Sequence, residues 1–446
     1  MSEQDFNRDL CHFLQSSPTP FHAVREMQER LRQAGYQRLH EADSWELLTS
    51  GRYFVTRNDS ALIAFSLGAG DVFASGFRIS GAHTDSPCLK IKPQPEISKL
   101  GYWQLGVEVY GGALLNPWFD RDLSFAGRVT FLDKAARLRN CLIDFKRPVA
   151  VIPSLAIHLD REANQNRSIN QQANLPPLLM QGTTPDFCFR ELLLSHIQQL
   201  PEAQDADRVL DFELSLYDVQ PPALVGLNEE FLAGARLDNL LSCHAGLDAL
   251  LRSDSQAPAM LVCTDHEEVG SVSTAGAGGT FLQATLERIA GSRGVNPGEQ
   301  ATTADMRERG AENFRRMLDR SVLLSVDNAH GIHPNFADKH DQQHGPLLNG
   351  GPVLKLNANQ RYATNSETAA LFRQLCERED VPLQSFVVRS DMGCGSTIGP
   401  VLAGQLGIKT ADVGVPTFAM HSIRELAGSR DGWNLSRVLT RFFRKI

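Results

Sequence analysis

The chain has 446 residues, with 44 Lys and Arg against 52 Asp and Glu, a formal net charge of −8. Hydrophobic residues make up 42% and charged residues 22%, so the chain can bury a large core, which excludes wholesale disorder, a collagen-like chain and a coiled coil. Acidic balance without a Lys/Arg block argues against nucleic acid as a partner, and no apolar run reaches the ~18 residues of a membrane span.

In chain order, residues 3–15 and 19–34 carry helical periodicity, broken at Ser17-Pro18-Thr19-Pro20. Residues 53–56 and 61–66 read as a hairpin around Asn58-Asp59-Ser60. A short strand at 77–81 runs into Ala82-His83-Thr84-Asp85. From Leu89 to about Leu159 the texture is all-β, with segments at 103–110, 127–132 and 141–152 punctuated by Gly and Pro. A helix at 187–199 and a strand at 208–217 follow. After Gly234, helices at 238–251, 279–290, 303–319, 368–379, 395–406 and 433–443 alternate with strands at 259–263, 322–326, 384–388 and 408–413.

Apolar strands alternating with helices imply an α/β fold: a mixed, largely parallel sheet sandwiched by helices, with an inserted β-rich domain. The expected organisation is 1–93 as the first part of one domain, 94–234 as the insert and 235–446 as the second part. The N-terminus lacks the apolar stretch of a secretory signal. Eight scattered Cys with no CxxC spacing exclude a zinc ribbon and read as thiols of a reducing compartment, so a cytoplasmic location is expected.

In open α/β sheets, ligands bind beyond the carboxyl ends of the strands. Those ends carry His83 and Asp85, Glu267 and Glu268, Asp327 and His421, and Asp238 opens a helix. Each alone has a bland explanation: a solvated turn, an N-cap or a surface His. Together they share one placement and complete a ligand set for divalent metals, with zinc first and manganese or cobalt as alternatives. Asp238 is the candidate bridge between two ions, with His83 and Asp327 on one and Glu268 and His421 on the other. Asp85 is placed to orient His83. Consecutive side chains of an extended segment diverge, so Glu268 binds metal while Glu267 faces substrate as general base. No GxSxG elbow and no P-loop pattern supports a serine hydrolase or an NTPase. His330 and His333 follow Asp327 and are candidates to line a substrate pocket.

Gly81-Ala82-His83-Thr84-Asp85-Ser86-Pro87, Trp118-Phe119-Asp120-Arg121-Asp122-Leu123, Asp265-His266-Glu267-Glu268-Val269-Gly270-Ser271, Asp327-Asn328-Ala329-His330-Gly331-Ile332-His333-Pro334-Asn335 and Met420-His421-Ser422-Ile423-Arg424-Glu425 resemble the M18 metallopeptidase family, in its aspartyl aminopeptidase branch. The resemblance runs from the first helix to about residue 440. It implies a zinc-peptidase-like catalytic domain and a binuclear centre with His83, Asp238, Glu268, Asp327 and His421 as ligands, Glu267 as base and Asp85 orienting His83. It further implies that 94–234 mediates dimerisation, that dimers build a tetrahedral dodecamer, and that His158 reaches a neighbour's active site. Read by itself, His158 is a surface His at a strand end. His330 and Lys355 match the family's substrate contacts.

Removal of an N-terminal Asp or Glu from a peptide with a free N-terminus needs a cation in the pocket, since an unpaired buried carboxylate costs several kcal/mol. Lys355 and His330 are the candidates, and Lys90, Lys92 and Arg389 stay open. The competing expectations are a related tetrahedral aminopeptidase of neutral or broad specificity, and a catalytically silent peptide-binding assembly.

Overall fold

Strands that are apolar on both faces form the centre of the chain. The structure, a computed structural model, describes residues 2–182, 187–254, 256–292 and 303–444, with the side chains of 303–307 excepted. A nine-stranded sheet runs in the order Gln37–Arg38, Arg52–Arg57, Ala61–Ser66, Ala259–Thr264, Arg78–His83, Val322–Val326, Lys409–Gly414, Val353–Lys355, Gln384–Phe386. Its middle is parallel: Arg78–His83 lies between Ala259–Thr264 and Val322–Val326, and the latter pairs with Lys409–Gly414.

Period-two alternation splits the strand side chains between two cores. Leu62, Ala64, Leu261, Cys263 and Leu324 face the helices Glu3–Ser16, Pro20–Gln33, Leu237–Arg252, Ser366–Arg378 and Asp431–Phe443. Ile63, Phe65, Met260, Val262 and Leu323 face Phe281–Ser292, Thr303–Arg320 and Ile398–Leu406. Burial of each such Leu, Ile or Phe is worth about 1.5–3 kcal/mol, so this sandwich is the rigid base of the site.

A six-stranded antiparallel sheet carries its own core, including Trp118, Phe125, Phe131 and Phe189. It begins at Cys88, inside the long strand Cys88–Lys99 that crosses the expected boundary at 94. A third sheet of five short strands joins Ala223–Val225 and Phe231–Gly234 to Glu425–Gly428, Pro416–Phe418 and Ala329–His330.

The long elements expected from periodicity are present, and the differences are local. The expected segment 141–152 ends as a strand at Asp144, and Ala150 and Val151 make only isolated bridges beyond Arg147-Pro148. The helix expected from 395 begins at Ile398, because Thr397 accepts the Gly399 N–H and caps it. The third sheet and Val353–Lys355 have no counterpart in the expected elements; strands of two to four residues are too short to show a period.

Candidate metal centre

Parallel neighbours end on one edge of a sheet. His83 closes Arg78–His83 in register with Thr264, so Asp265 to Glu268 leave the sheet beside it. Asp327 leaves Val322–Val326 on the other side. Asp238 enters from the start of Leu237–Arg252, where Asn239 Nδ2 donates to the Val326 carbonyl at 2.8 Å and ties that turn to the strand end. His421 comes from the turn after Pro416–Phe418.

All five expected ligands meet around Asp238. His83 Nε2 lies 3.7 Å from Asp238 Oδ1 and 4.0 Å from Asp327 Oδ2. His421 Nε2 lies 3.4 Å from Asp238 Oδ2 and 3.3 Å from Glu268 Oε2. Each Asp238 oxygen therefore serves a different half of the cluster. Tetrahedral zinc with bonds of about 2.0–2.1 Å sets its ligand atoms roughly 3.3 Å apart, close to the His421 half and slightly tighter than the His83 half. Among the described residues, His83, Asp238 and Glu268 form a group whose ligand atoms all lie within 4.8 Å of one another.

Both imidazoles are held in the tautomer a metal needs. His83 Nδ1 donates to the Asp85 carbonyl at 3.0 Å, and His421 Nδ1 to the Gly112 carbonyl at 3.2 Å, leaving both Nε2 atoms facing the centre. Asp238 Oδ1 and Glu268 Oε1 are buried without a hydrogen-bond partner. A buried, unpartnered carboxylate oxygen is costly unless a cation meets it. The donor set, its tautomers and its orphaned oxygens all fit divalent ions.

The electrostatics agree. Burial, with Asp238 and Asp85 nearby, pushes Glu268 up to about 9. Burial also raises Asp327, which Lys355 partly offsets. Burial opposes charging of His83, yet its bond to Asp85 and the carboxylates of Glu267, Asp85 and Asp238 hold its pKa well above the ordinary value. This many acids in one buried place call for positive charge.

Asp85 does more than the sequence suggested. Its Oδ1 is 3.4 Å from His83 Nδ1, farther than its own carbonyl. The carboxylate instead accepts the backbone N–H groups of Glu267 and Glu268, each at 3.1 Å, and the Tyr110 hydroxyl at 2.7 Å. The two glutamates sit on a tight 3-10 turn, Glu267–Val269, and not on the extended segment expected. Among the described residues no hydrogen bond or ion pair engages the Glu267 carboxylate. Burial, with Asp327, Asp238 and Asp85 outweighing His83, raises it to about 7.

Several contributors went unread in the sequence. Glu425, buried, accepts the backbone N–H groups of Asp238 at 2.9 Å and His421 at 2.8 Å. Tyr110, Gly111 and Gly112 come from the β-rich module and press on the centre; a Cβ on Gly111 would lie 3.1 Å from Glu268 Cβ. A Gly-Gly pair after a strand was the available signal.

A cavity of about 380 Å³ opens beside His421, lined among others by His330, His333, Tyr362, Phe386 and Arg389. Lys355 is buried, with Nζ 3.4 Å from Asp327 Oδ1 and 5.3 Å above the Tyr362 ring. Of the other candidate cations, Arg389 pairs with Asp391, Lys90 sits over the Tyr110 ring and Lys92 bonds Gln172. His158 is exposed in a loop of the β-rich module and makes no hydrogen bond or ion pair among the described residues.

Residues 13–443 match the family described as aminopeptidase I zinc metalloprotease (M18). A probable M18 family aminopeptidase 2 of Azotobacter vinelandii is 58% identical over 440 residues, 98% of each chain. A chain in the cryo-electron microscopy structure of the Ape4 and Nbr1 complex superposes with a TM-score of 0.92 at 38% identity, over 99% of this chain and 86% of that one. The S. cerevisiae mApe1 dodecamer gives 0.82 at 28% identity, over 99% and 96%. With a metal-ligand cluster at the strand ends and a family match over nearly its whole length, the chain belongs to the M18 family of zinc metallo-aminopeptidases.

Proposed function

We propose that this chain is a binuclear aminopeptidase that removes an N-terminal Asp or Glu from peptides, with Glu267 as general base. The observation that carries this reading is the split of Asp238, whose two oxygens face two different histidines at 3.7 and 3.4 Å. His83, Asp238 and Asp327 would hold one ion, and Asp238, Glu268 and His421 the other. Two ions there, zinc first with cobalt or manganese able to replace it, would polarise the scissile carbonyl and acidify the attacking water. Glu267, whose carboxylate no hydrogen bond or ion pair engages among the described residues, takes the water proton and returns it to the leaving amine. Asp85 holds the turn that aims it.

His330 in the cavity and Lys355 beside Asp327 are the proposed partners of the substrate's side-chain carboxylate. A related enzyme of neutral or broad specificity is the second reading, because Lys355 is already engaged by Asp327. Segment 94–234 is proposed as the assembly module of a tetrahedral dodecamer built from dimers; the similar S. cerevisiae mApe1 is a dodecamer. The exposed Leu155, Ile157 and Leu159 around His158 support a partner surface that would bring His158 to a neighbour's site. No helix among the described residues is long and apolar enough to cross a membrane, and all eight cysteines are free thiols, which supports the cytoplasm.

The test pairs metal analysis with turnover of Asp-, Glu-, Leu- and Ala-derived substrates. Two ions per chain and preference for Asp and Glu are expected. Glu267→Gln should abolish turnover with both ions bound; full activity in that variant would remove Glu267 as base. Absence of turnover in the metal-loaded wild type would favour a silent peptide-binding assembly.

A further inference from the structure

We propose that Tyr110, a residue of the β-rich module, is a positioning residue for catalysis: through Asp85 it fixes the turn that carries Glu267 and Glu268. The inference rests on the reading of Glu267 as base. Tyr110 closes the strand Tyr102–Tyr110 and donates its hydroxyl proton to Asp85 Oδ2 at 2.7 Å. The same oxygen accepts the Glu268 N–H, and the neighbouring Oδ1 accepts the Glu267 N–H, both at 3.1 Å. The carboxylate is thus a rigid clamp with one end on each glutamate, and the phenol is the donor that sets its rotation.

The phenol is itself held. Lys90 Nζ lies 4.1 Å over its ring, and the His266 ring meets its edge at 6.4 Å. His266 immediately precedes Glu267 and is fixed by a 2.8 Å bond to Ser273 Oγ. Gly111 and Gly112 continue the chain from Tyr110 onto Glu268 and His421. The strand end therefore reaches the base, one ligand turn and one ligand imidazole from outside the α/β sandwich. A hydrogen bond to an ionised acceptor is roughly twice as strong as one between neutral groups, enough to favour one carboxylate rotation over others.

Tyr110→Phe keeps the ring, with its Lys90 and His266 contacts, and removes only the donor. Removal of such a supporting partner lowers activity about 10- to 100-fold. The expected result is a fall of that size in kcat, with KM within about twofold and two ions per chain still bound. The measurement uses the full-length, metal-loaded enzyme with Glu267→Gln alongside. A kcat within twofold of wild type would overturn the proposal, as would a change confined to KM. A kcat loss that excess metal restores would also overturn it, assigning Tyr110 to ion retention. Retained turnover in Glu267→Gln would instead sink the reading of the base beneath it, whatever Tyr110→Phe does.

Discussion

The carbonyl of Gly112 accepts the Nδ1–H of His421 at 3.2 Å, so a backbone group of the β-rich module sets the tautomer of an imidazole in the α/β domain. Module and centre are thus coupled by contact. Gly111, next in line, has φ +69°, and a Cβ there would stand 3.1 Å from Glu268 Cβ. Gly111→Ala combines a backbone penalty of about 1–2 kcal/mol with a tight contact on the turn that carries Glu268. We expect metal affinity to fall roughly 10-fold or more, read by competition with a chelator. Gly112→Ala, whose Cβ meets His421 Nδ1 at 3.3 Å without a left-handed φ, should fall less. Equal affinities in all three proteins would show that the strand end does not shape the centre.

Glu425 ties two proposed ligands, Asp238 and His421, that are distant in sequence. Its oxygens accept the N–H groups of Asp238 and His421, and His421 takes a left-handed φ of 68° that this bond helps to hold. Glu425→Gln keeps the volume but turns an NH2 toward one of those N–H groups. One buried donor is then unsatisfied, costing about 1–3 kcal/mol. The expected signature is a lower melting temperature together with about 10- to 100-fold weaker metal binding. A variant that melts lower but binds metal normally would reduce Glu425 to a structural residue.

The proposed ligand set was legible because strand ends are a placement rule: His83 closes, and Asp327 and the Glu267-Glu268 pair follow, buried strands of five or six residues. Asp238 was legible as an acid at the start of a helix whose apolar residues fall on helical spacing. Asp85 was read as the residue that orients His83, and its carbonyl does accept the His83 Nδ1–H, but the reach of its carboxylate was not legible. A sequence shows that Asp85 is two residues from His83, and not that its carboxylate reaches across to N–H groups 182 and 183 positions away. Tyr110, Gly112 and Glu425 act by such long-range contacts, and no local period marks them. The third sheet was missed for a different reason: its strands are too short for a pattern, and only pairing with each other defines them.

Lys355 stands where two roles compete. Its ammonium is 3.4 Å from Asp327 Oδ1, and the residue is 2% exposed. Lys355→Met keeps the aliphatic stem and removes the charge. Loss of support for Asp327 should lower kcat/KM on every substrate. Loss of a partner for the substrate carboxylate should lower it further on Asp and Glu substrates alone. A site built to pair a polar group rejects its apolar analogue strongly, so the Asp-to-Leu ratio should collapse at least about 10-fold. An unchanged ratio beside a uniform loss would leave Lys355 as a support of Asp327 and move the specificity question to His330.

Asp9 gives an acid-stability prediction away from the centre. Its carboxylate accepts from Arg30 Nη1 and lies against His244 Nε2, each at 2.7 Å, and so joins three helices. Burial opposes its ionisation, but His244 and Arg30 together hold its pKa well below the usual carboxylate range. A depressed folded-state pKa means that the folded chain binds the proton less readily than the unfolded one. The stabilisation is therefore complete above the ordinary Asp pKa of about 4 and is lost as pH falls toward the folded value. Asp9→Asn removes this term. At pH 7 the variant should melt below wild type, by a modest amount because Asp9 is partly exposed. Below about pH 4 the gap between the two should narrow, since wild type is then losing what the variant never had. Melting curves of both proteins between pH 3 and 7, in roughly unit steps, measure the gap directly. A gap that stays constant across that range would mean that Asp9 acts by packing and not by charge.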